Sequence, residues 1–343
     1  MYRLLKPILF SFTPETAHGI IRKLLIILRY IPFSSAILKF FYSYNNPKLE
    51  KEVFGIKFKN PVGMAAGFDK NAEMYNDLAN FGFGFIEIGS ITPKEQLGNP
   101  RPRIFRLVKD NALINRMGLN NNGVKNAVES LKRCKPNIII GGNISKNNTT
   151  LNSNAPLDYE KTFASLYEFV DYFVVNVSCP NVKGLSQLQD ITSLSEIVDR
   201  LTTLRKYLDE YRPILLKISP DLEKEHLDEI IDLTLVSGLD GIVASNTSSL
   251  RENLKTDEAF VNEIGNGGLS GEPIFKKSLE TISYIYKKTD GQLQIIGVGG
   301  IMSASDADAM LKAGASLVQI YTGFIYKGPS IVKKILKKIV KSK

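Results

Sequence analysis

The sequence predicts an α/β fold, a parallel (β/α)8 TIM barrel with a small N-terminal helical extension. From residue 61 onward, eight short apolar segments alternate with amphipathic helical stretches. Near-continuous apolar runs are what strands covered on both faces require. Each segment also ends in glycine or a polar residue: Gly67, Ser90, Asn143, Asn176, Lys217, Asn246, Gly300 and Thr322. In such a barrel all these ends converge on the C-terminal face, where active sites are built. A doubly wound open sheet is the alternative that the same alternation allows. A chain of 343 residues, 43% hydrophobic, is long enough for one large core plus a small appendage.

Taken in order, residues 1–44 read as a pair of amphipathic helices. Thr13 followed by Pro14 is a start signal, a capping hydroxyl and then proline in the first turn. Ala17, Ile20, Ile21, Leu24, Leu25 and Leu28 follow with helical spacing, and a second helix is expected over Ser34 to Tyr42. "YNNPKLE" reads as the linker into the main domain, which gives 1–44 as an N-terminal amphipathic helical region and 45–343 as the barrel. The strand candidates are 61–67, 84–90, 137–145, 172–178, 213–219, 241–246, 294–300 and 317–323. Helices are expected over 71–81, 190–211, 303–313 and 329–341, and "GNGGLSGEP" (265–273) reads as a flexible glycine loop before the seventh strand.

Charge separates the ends from the body. The net charge is +9, but residues 1–44 carry +5 and residues 327–343 carry +7, which leaves −3 for 45–326. That speaks against a nucleic-acid groove across the main domain and for an anionic surface met by the termini, such as a membrane; solvated helix faces are the plain alternative. Arg22, Lys23 and Arg29 interrupt the apolar N-terminal region, so no run approaches the roughly 20 residues of a spanning helix. Two cysteines give no disulfide framework and point to a reducing, cytoplasmic setting. His18 and His226 are far apart, and no zinc-like cluster or other metal site is expected.

The polar strand ends suggest chemistry. Gly299–Gly300 and Tyr321–Thr322–Gly323 stand where barrels commonly bind phosphate. Lys217 places a cation on the same face, suited to stabilising negative charge, to Schiff-base chemistry or to a structural ion pair. Asn115, Asn143, Asn176, Asn181 and Asn246 supply donors and acceptors for a planar, amide-rich ligand. Lys70 offers a charge for a substrate carboxylate.

Eight motifs then occur in order: "AAGFDKN", "NRMGLNNNG", "VNVSCPN", "LLKISPD", "ASNT", "GGLSGEP", "IIGVGGI" and "SLVQIYTGFIYKGP". Together, from about residue 50 to the C-terminus, they resemble the dihydroorotate dehydrogenase family, and "TPETAH" resembles its membrane-associated, quinone-using class 2. The resemblance implies oxidation of dihydroorotate to orotate in pyrimidine synthesis, with FMN as cofactor and a membrane quinone as acceptor. It implies FMN contacts at Ala66, Gly67, Phe68, Asp69, Lys70, Ser90, Asn143, Asn176, Lys217, Ser245, Gly271, Gly300, Tyr321 and Thr322. Substrate contacts are implied at Lys70, Asn115, Arg116, Met117, Gly118, Leu119, Asn176, Asn181, Asn246 and Thr247. His18 and Arg106 match positions near the quinone channel. The implied location is peripheral, on the cytoplasmic side of the cell membrane, held by the N-terminal helices.

Two departures stand out against the resemblance. Class 2 members usually carry serine at the position of the catalytic base, within "SSPN"; here Cys179 stands in "SCPN", as in the soluble class 1 enzymes. Leu119 replaces an aromatic residue. Cys179 is expected to take the substrate proton, with Ser178 facing away because neighbours on an extended chain point in opposite directions. Cys134 reads as structural. Three other readings remain open: a class 1-like soluble enzyme using fumarate or NAD, a phosphate-binding lyase or isomerase built on Lys217, and an inactive barrel serving as a membrane-surface binding module.

Overall fold

The computed structural model describes residues 2–178 and 185–342. Cys179 and Asn181, the expected base and one expected substrate contact, lie outside the described residues.

All eight expected segments are strands: β1 (Val62–Asp69), β2 (Phe85–Ile91), β3 (Ile139–Ile144), β4 (Tyr172–Asn176), β5 (Ile214–Ile218), β6 (Gly241–Ala244), β7 (Gln294–Val298) and β8 (Leu317–Ile320). They pair in parallel in chain order, and the barrel closes where β8 meets β1, Val318 opposite Val62 and Ile320 opposite Met64. Closure excludes the open doubly wound sheet.

Side chains alternate along each strand, so every second residue enters the barrel interior. The lower interior is apolar, filled by Phe85, Tyr172, Val174, Leu215, Val243, Ile296 and Leu317. Gly63 and Gly141 are required there, because a Cβ at either would run into the ring of Phe85 or Tyr172. A hairpin, Lys51–Val53 with Ile56–Phe58, closes the bottom, with the Phe58 ring 5.3 Å from that of Phe85. Two residues higher on the strands the interior turns polar: Glu87 above Phe85, Asn143 above Gly141, Asn176 above Val174, Lys217 above Leu215 and Gln319 above Leu317. The hairpin has no counterpart among the expected elements, since three-residue strands are too short to show a period.

Three expectations about helices and loops need correction. The helix expected over 71–81 shrinks to Tyr75–Ala79. Ala72 adopts φ +55°, and the Asp69 carboxylate accepts from the backbone N–H groups of Glu73 and Met74 at 2.8 Å each, which holds the preceding turn out of the helix. The helix expected over 190–211 ends at Arg205, beyond which the N–H groups of Lys206 to Leu208 bond three residues back in a tightened turn. The glycine loop is an ordered strand: Gly268–Gly271 pairs antiparallel with Ala112–Asn115, which pairs with Ile104–Leu107, in a small sheet beside the barrel mouth. Glycine suits it because a Cβ on Gly267 would sit 2.9 Å from the Asn115 carbonyl oxygen.

At the N-terminus the structure has three helices where two were expected: α1 (Tyr2–Ser11), α2 (Pro14–Leu28) and α3 (Ser34–Tyr42). Pro7 hides α1 from a propensity reading, because it removes an internal hydrogen bond. Packing offsets that loss: the Phe10 ring meets Tyr326 edge-on at 5.4 Å, and the Tyr2 hydroxyl donates to the Ile325 carbonyl. Thr13 caps α2 as expected, accepting from the Thr16 N–H. Arg22 binds Glu73 at 2.8 Å, and Arg29 forks onto both carboxylate oxygens of Asp77, so α2 is tied to the loop and helix after β1.

Candidate active site

The polar strand ends form one connected network. Glu87, fully buried on β2, accepts from Asn143 Nδ2 at 2.8 Å and Lys217 Nζ at 3.3 Å through Oε1, and from Gln319 Nε2 at 2.6 Å through Oε2. Above this layer Ser90 Oγ donates to Asn143 Oδ1 and accepts from Asn176 Nδ2 at 2.8 Å. Asn246 Nδ2 reaches Asn176 Oδ1 at 3.2 Å and Ser178 Oγ at 2.9 Å, while Ser178 Oγ donates to the Lys217 carbonyl at 2.9 Å. Glu87 was not singled out from sequence. A lone acid within the apolar run "GFIEIGS" was the available signal, since a buried carboxylate requires a partner.

A cavity opens on this network at the C-terminal face. Its wall brings together Ala66, Gly67, Lys70, Ser90, Asn176, Lys217, Ser245, Gly271, Gly300, Tyr321 and Thr322 of the expected cofactor set. Asn115, Met117, Gly118, Leu119, Asn246 and Thr247 of the expected substrate set line it as well. Ser270, Gln319 and Ile104 are among the lining residues that were not expected. Among the described residues, four of those expected to contact cofactor or substrate do not line the wall. Asn143 lies one layer below, between Glu87 and Ser90. Asp69 turns to the backbone N–H groups noted above, and burial pushes its carboxyl up to about 6. Phe68 packs its ring against His18 at 5.1 Å. The Arg116 guanidinium donates to the carbonyls of Pro102 and Ile264 and stacks 5.1 Å from the Phe105 ring, outside the cavity. Ser178 is not on the wall either; its hydroxyl is spent within the network.

The residues present fit a flavin mononucleotide. Gly67 has φ +93°, and a Cβ there would touch only the Tyr321 ring, at 3.6 Å, leaving a bare face for a flat ring. At the end of β7 Gly299 and Gly300 have φ +127° and +74°, with Gly300 backed against Phe275, so the backbone presents itself without side chains on the wall that also holds Thr322 and Gly323. Lys217, Ser90 and Asn176 add a cation, a hydroxyl and an amide to the same wall.

A second cavity of about 610 Å³ lies between α1, α2 and the barrel. It is mostly apolar, with Leu9, Phe10, Ala17, Ile21, Leu25 and Phe324 among its lining. Gly67, Lys70, Ile104, Leu113, Met117 and Tyr321 belong to both cavities, so one thin wall separates them. His18 and Arg106 both line the second cavity. The His18 ring meets the Phe68 carbonyl at 2.8 Å through Nε2, and burial lowers its pKa, so it is neutral at pH 7 with Nε2 as donor. Arg106 donates to the Phe12 carbonyl at 2.6 Å and to those of Leu9 and Phe10 at 3.3 Å, which caps the end of α1; its buried Nε has no hydrogen-bond partner among the described residues. Among the described residues no cluster of His, Cys, Asp or Glu could hold a metal.

Comparison with known proteins places this architecture. The family model for dihydroorotate dehydrogenase matches residues 48–342. The chain belongs to the dihydroorotate dehydrogenase family. It is 48% identical over 341 residues to a dihydroorotate dehydrogenase (quinone) of Christiangramia forsetii, a match covering 99% of each chain. It is 44% identical to one of Coxiella burnetii, covering 98% of this chain and 96% of that one. Among solved structures, the Eimeria tenella enzyme in complex with ferulenol superposes with a TM-score of 0.86 at 36% identity, over 96% of this chain and 91% of that one. These relatives align through residues 1–44 as well as the barrel, since at 99% coverage almost nothing is left out.

Proposed function

We propose that this chain oxidises dihydroorotate to orotate in pyrimidine biosynthesis, using FMN in the upper cavity, and passes the electrons to a quinone held in the cavity beneath α1 and α2. The observation that carries this reading is the wall shared by the two cavities at Gly67 and Tyr321. A polar site for a planar, amide-rich substrate and an apolar site for a lipid-soluble acceptor approach one another there.

Bound FMN supplies an acceptor for hydride and a carrier of the two electrons. The chain's residues do the remainder. Asn115, Asn176 and Asn246 offer amide donors and acceptors to the substrate ring, and Lys70 offers a charge to its carboxylate. The hydrogen bonds from Asn246 to Asn176 and Ser178 hold its amide in one orientation, which limits the reorganisation needed on binding. Lys217, buried and backed by Glu87, places fixed positive charge at the site, where it stabilises negative charge as it develops. Cys179, three residues beyond Asn176 in the sequence, takes the proton from the carbon next to the one that loses hydride.

Residues 1–44 act as the membrane-docking and quinone-admitting unit. Thirteen large apolar side chains between Leu4 and Phe41 are exposed, with Leu4, Phe33 and Phe40 near 80%. Among the described residues no helix is long and apolar enough to cross a membrane, so α1–α3 would lie in the interface.

Turnover of dihydroorotate with a quinone, fumarate and NAD side by side tests the acceptor. Quinone should be reduced fastest; preference for fumarate or NAD would favour the class 1-like reading that Cys179 suggests. Arg106→Ala should raise the quinone KM at least about tenfold, because it removes both the α1 cap and the unpartnered donor. Anaerobic flavin bleaching by dihydroorotate should stay at the wild-type rate. Slowed bleaching would place Arg106 on the substrate side instead.

A further inference from the structure

The C-terminal helix, Ser330–Ser342, has two unlike faces. Ile331, Val332, Ile335, Leu336 and Ile339 are buried against the barrel. Lys334, Lys337 and Lys341 are exposed, and at about 100° per residue they fall within roughly 60° of one another around the helix. No acid occurs anywhere in residues 327–343.

This stripe borders the exposed apolar surface of α3. Lys333 Nζ donates to the carbonyls of Phe41 at 2.9 Å and Phe40 at 3.2 Å, which caps α3 and pins the two helices together. One turn on, Lys337 Nζ stands 5.8 Å from the Tyr44 ring. Lys338 is exposed as well, near Asp308, whose carboxyl is held below its usual range first by the hydrogen bond from Lys312 and, more weakly, by charges that include Lys338.

We propose that Lys334, Lys337 and Lys341 form a second membrane contact, which binds the anionic headgroups of the bilayer that α1–α3 enter. This rests on the membrane-docking reading of α1–α3. Charge complementarity and continuity with the exposed Phe40 and Phe41 identify an anionic lipid surface as the occupant. A lysine close to such a surface contributes about fivefold in affinity, so three contribute on the order of a hundredfold at low salt.

The test is co-sedimentation of full-length, FMN-loaded protein with vesicles of phosphatidylcholine alone or with 30% phosphatidylglycerol. Wild type should bind both, the anionic vesicles more tightly, and the gain should vanish at high salt. Lys334→Gln/Lys337→Gln/Lys341→Gln should keep neutral-vesicle binding and dye-coupled dihydroorotate oxidation, while losing at least about tenfold on anionic vesicles. The triple arginine variant should keep the gain. A glutamine variant that gains as much from phosphatidylglycerol as wild type overturns the proposal. Phe40→Ser/Phe41→Ser should weaken binding to both vesicles. If it binds both like wild type, the docking reading of α3 fails while the lysine stripe is judged separately by the glutamine variant.

Discussion

Cys179→Ala is expected to slow reduction of the bound flavin by dihydroorotate by about 10²–10⁴-fold, the usual worth of a positioned general base. Orotate binding should stay within a few-fold of wild type, because the amide contacts of Asn115, Asn176 and Asn246 do not depend on the thiol. An ordinary thiol titrates near 8.5, so a useful fraction is thiolate at neutral pH, while a serine hydroxyl is far less acidic. Cys179→Ser should therefore retain some activity, with its pH profile moved to higher pH. Iodoacetamide should inactivate the wild type, and dihydroorotate should protect it. The structure supplies the control. Ser178 is the neighbouring candidate, but its hydroxyl proton already goes to the Lys217 carbonyl and its oxygen receives the Asn246 amide. Ser178→Ala should loosen Asn246 and raise the dihydroorotate Kd, roughly tenfold for a lost buried hydrogen bond, with the saturated rate largely kept. Stopped-flow flavin bleaching at varied substrate separates the two effects. Should Ser178→Ala abolish bleaching at saturation and Cys179→Ala leave it intact, the base is Ser178.

The barrel was legible because its strands are buried on both faces, which writes them as apolar runs with polar ends. All eight could be placed to within a few residues for that reason alone. The small sheet beside the mouth was not legible. Gly268–Gly271 is four residues long with glycine at both ends, and Leu269 and Ser270 alone cannot carry a period, so a strand built on close backbone approach reads as a loop. The shortened helix at Tyr75–Ala79 was hidden for another reason: Asp69 binds its turn from outside the local pattern. The helix α1 was masked by Pro7, whose cost is met by Phe10 and Tyr326, 316 positions apart in the chain.

The site divided along similar lines. Residues on strand ends, such as Asn176 and Lys217, were readable because polar groups in apolar runs need a reason. Arg116 and Asp69 were drawn in by their place inside motifs, yet their side chains leave the cavity for carbonyls and backbone N–H groups. A motif fixes the path of the backbone more firmly than it fixes where each long side chain goes. Glu87 shows the reverse case. It touches no expected ligand, but it anchors Lys217, Asn143 and Gln319 at once.

Glu87→Gln should therefore have effects out of proportion to a change of one atom. The substitution keeps the shape but replaces an acceptor that serves three donors with an amide that must point its own N–H₂ at one of them. Lys217, only 7% exposed, would be left as a buried cation without its carboxylate. Removing one partner of a buried pair costs about 3–5 kcal/mol. At about 2 cal/mol/K per residue of unfolding entropy, this chain should lose roughly 4–7 °C in Tm. The uncompensated charge should also favour the reduced, more negative flavin and raise its potential by tens of millivolts, about 30 mV for each 1.4 kcal/mol in a two-electron couple. The double variant Glu87→Gln/Lys217→Met separates these consequences. It removes the stranded cation, so Tm should recover by several degrees, while the potential should drop below that of wild type. Thermal melts of the FMN-loaded protein and an equilibrium dye titration give both readouts. If Glu87→Gln melts and titrates like wild type, the buried carboxylate neither supports Lys217 nor tunes the site.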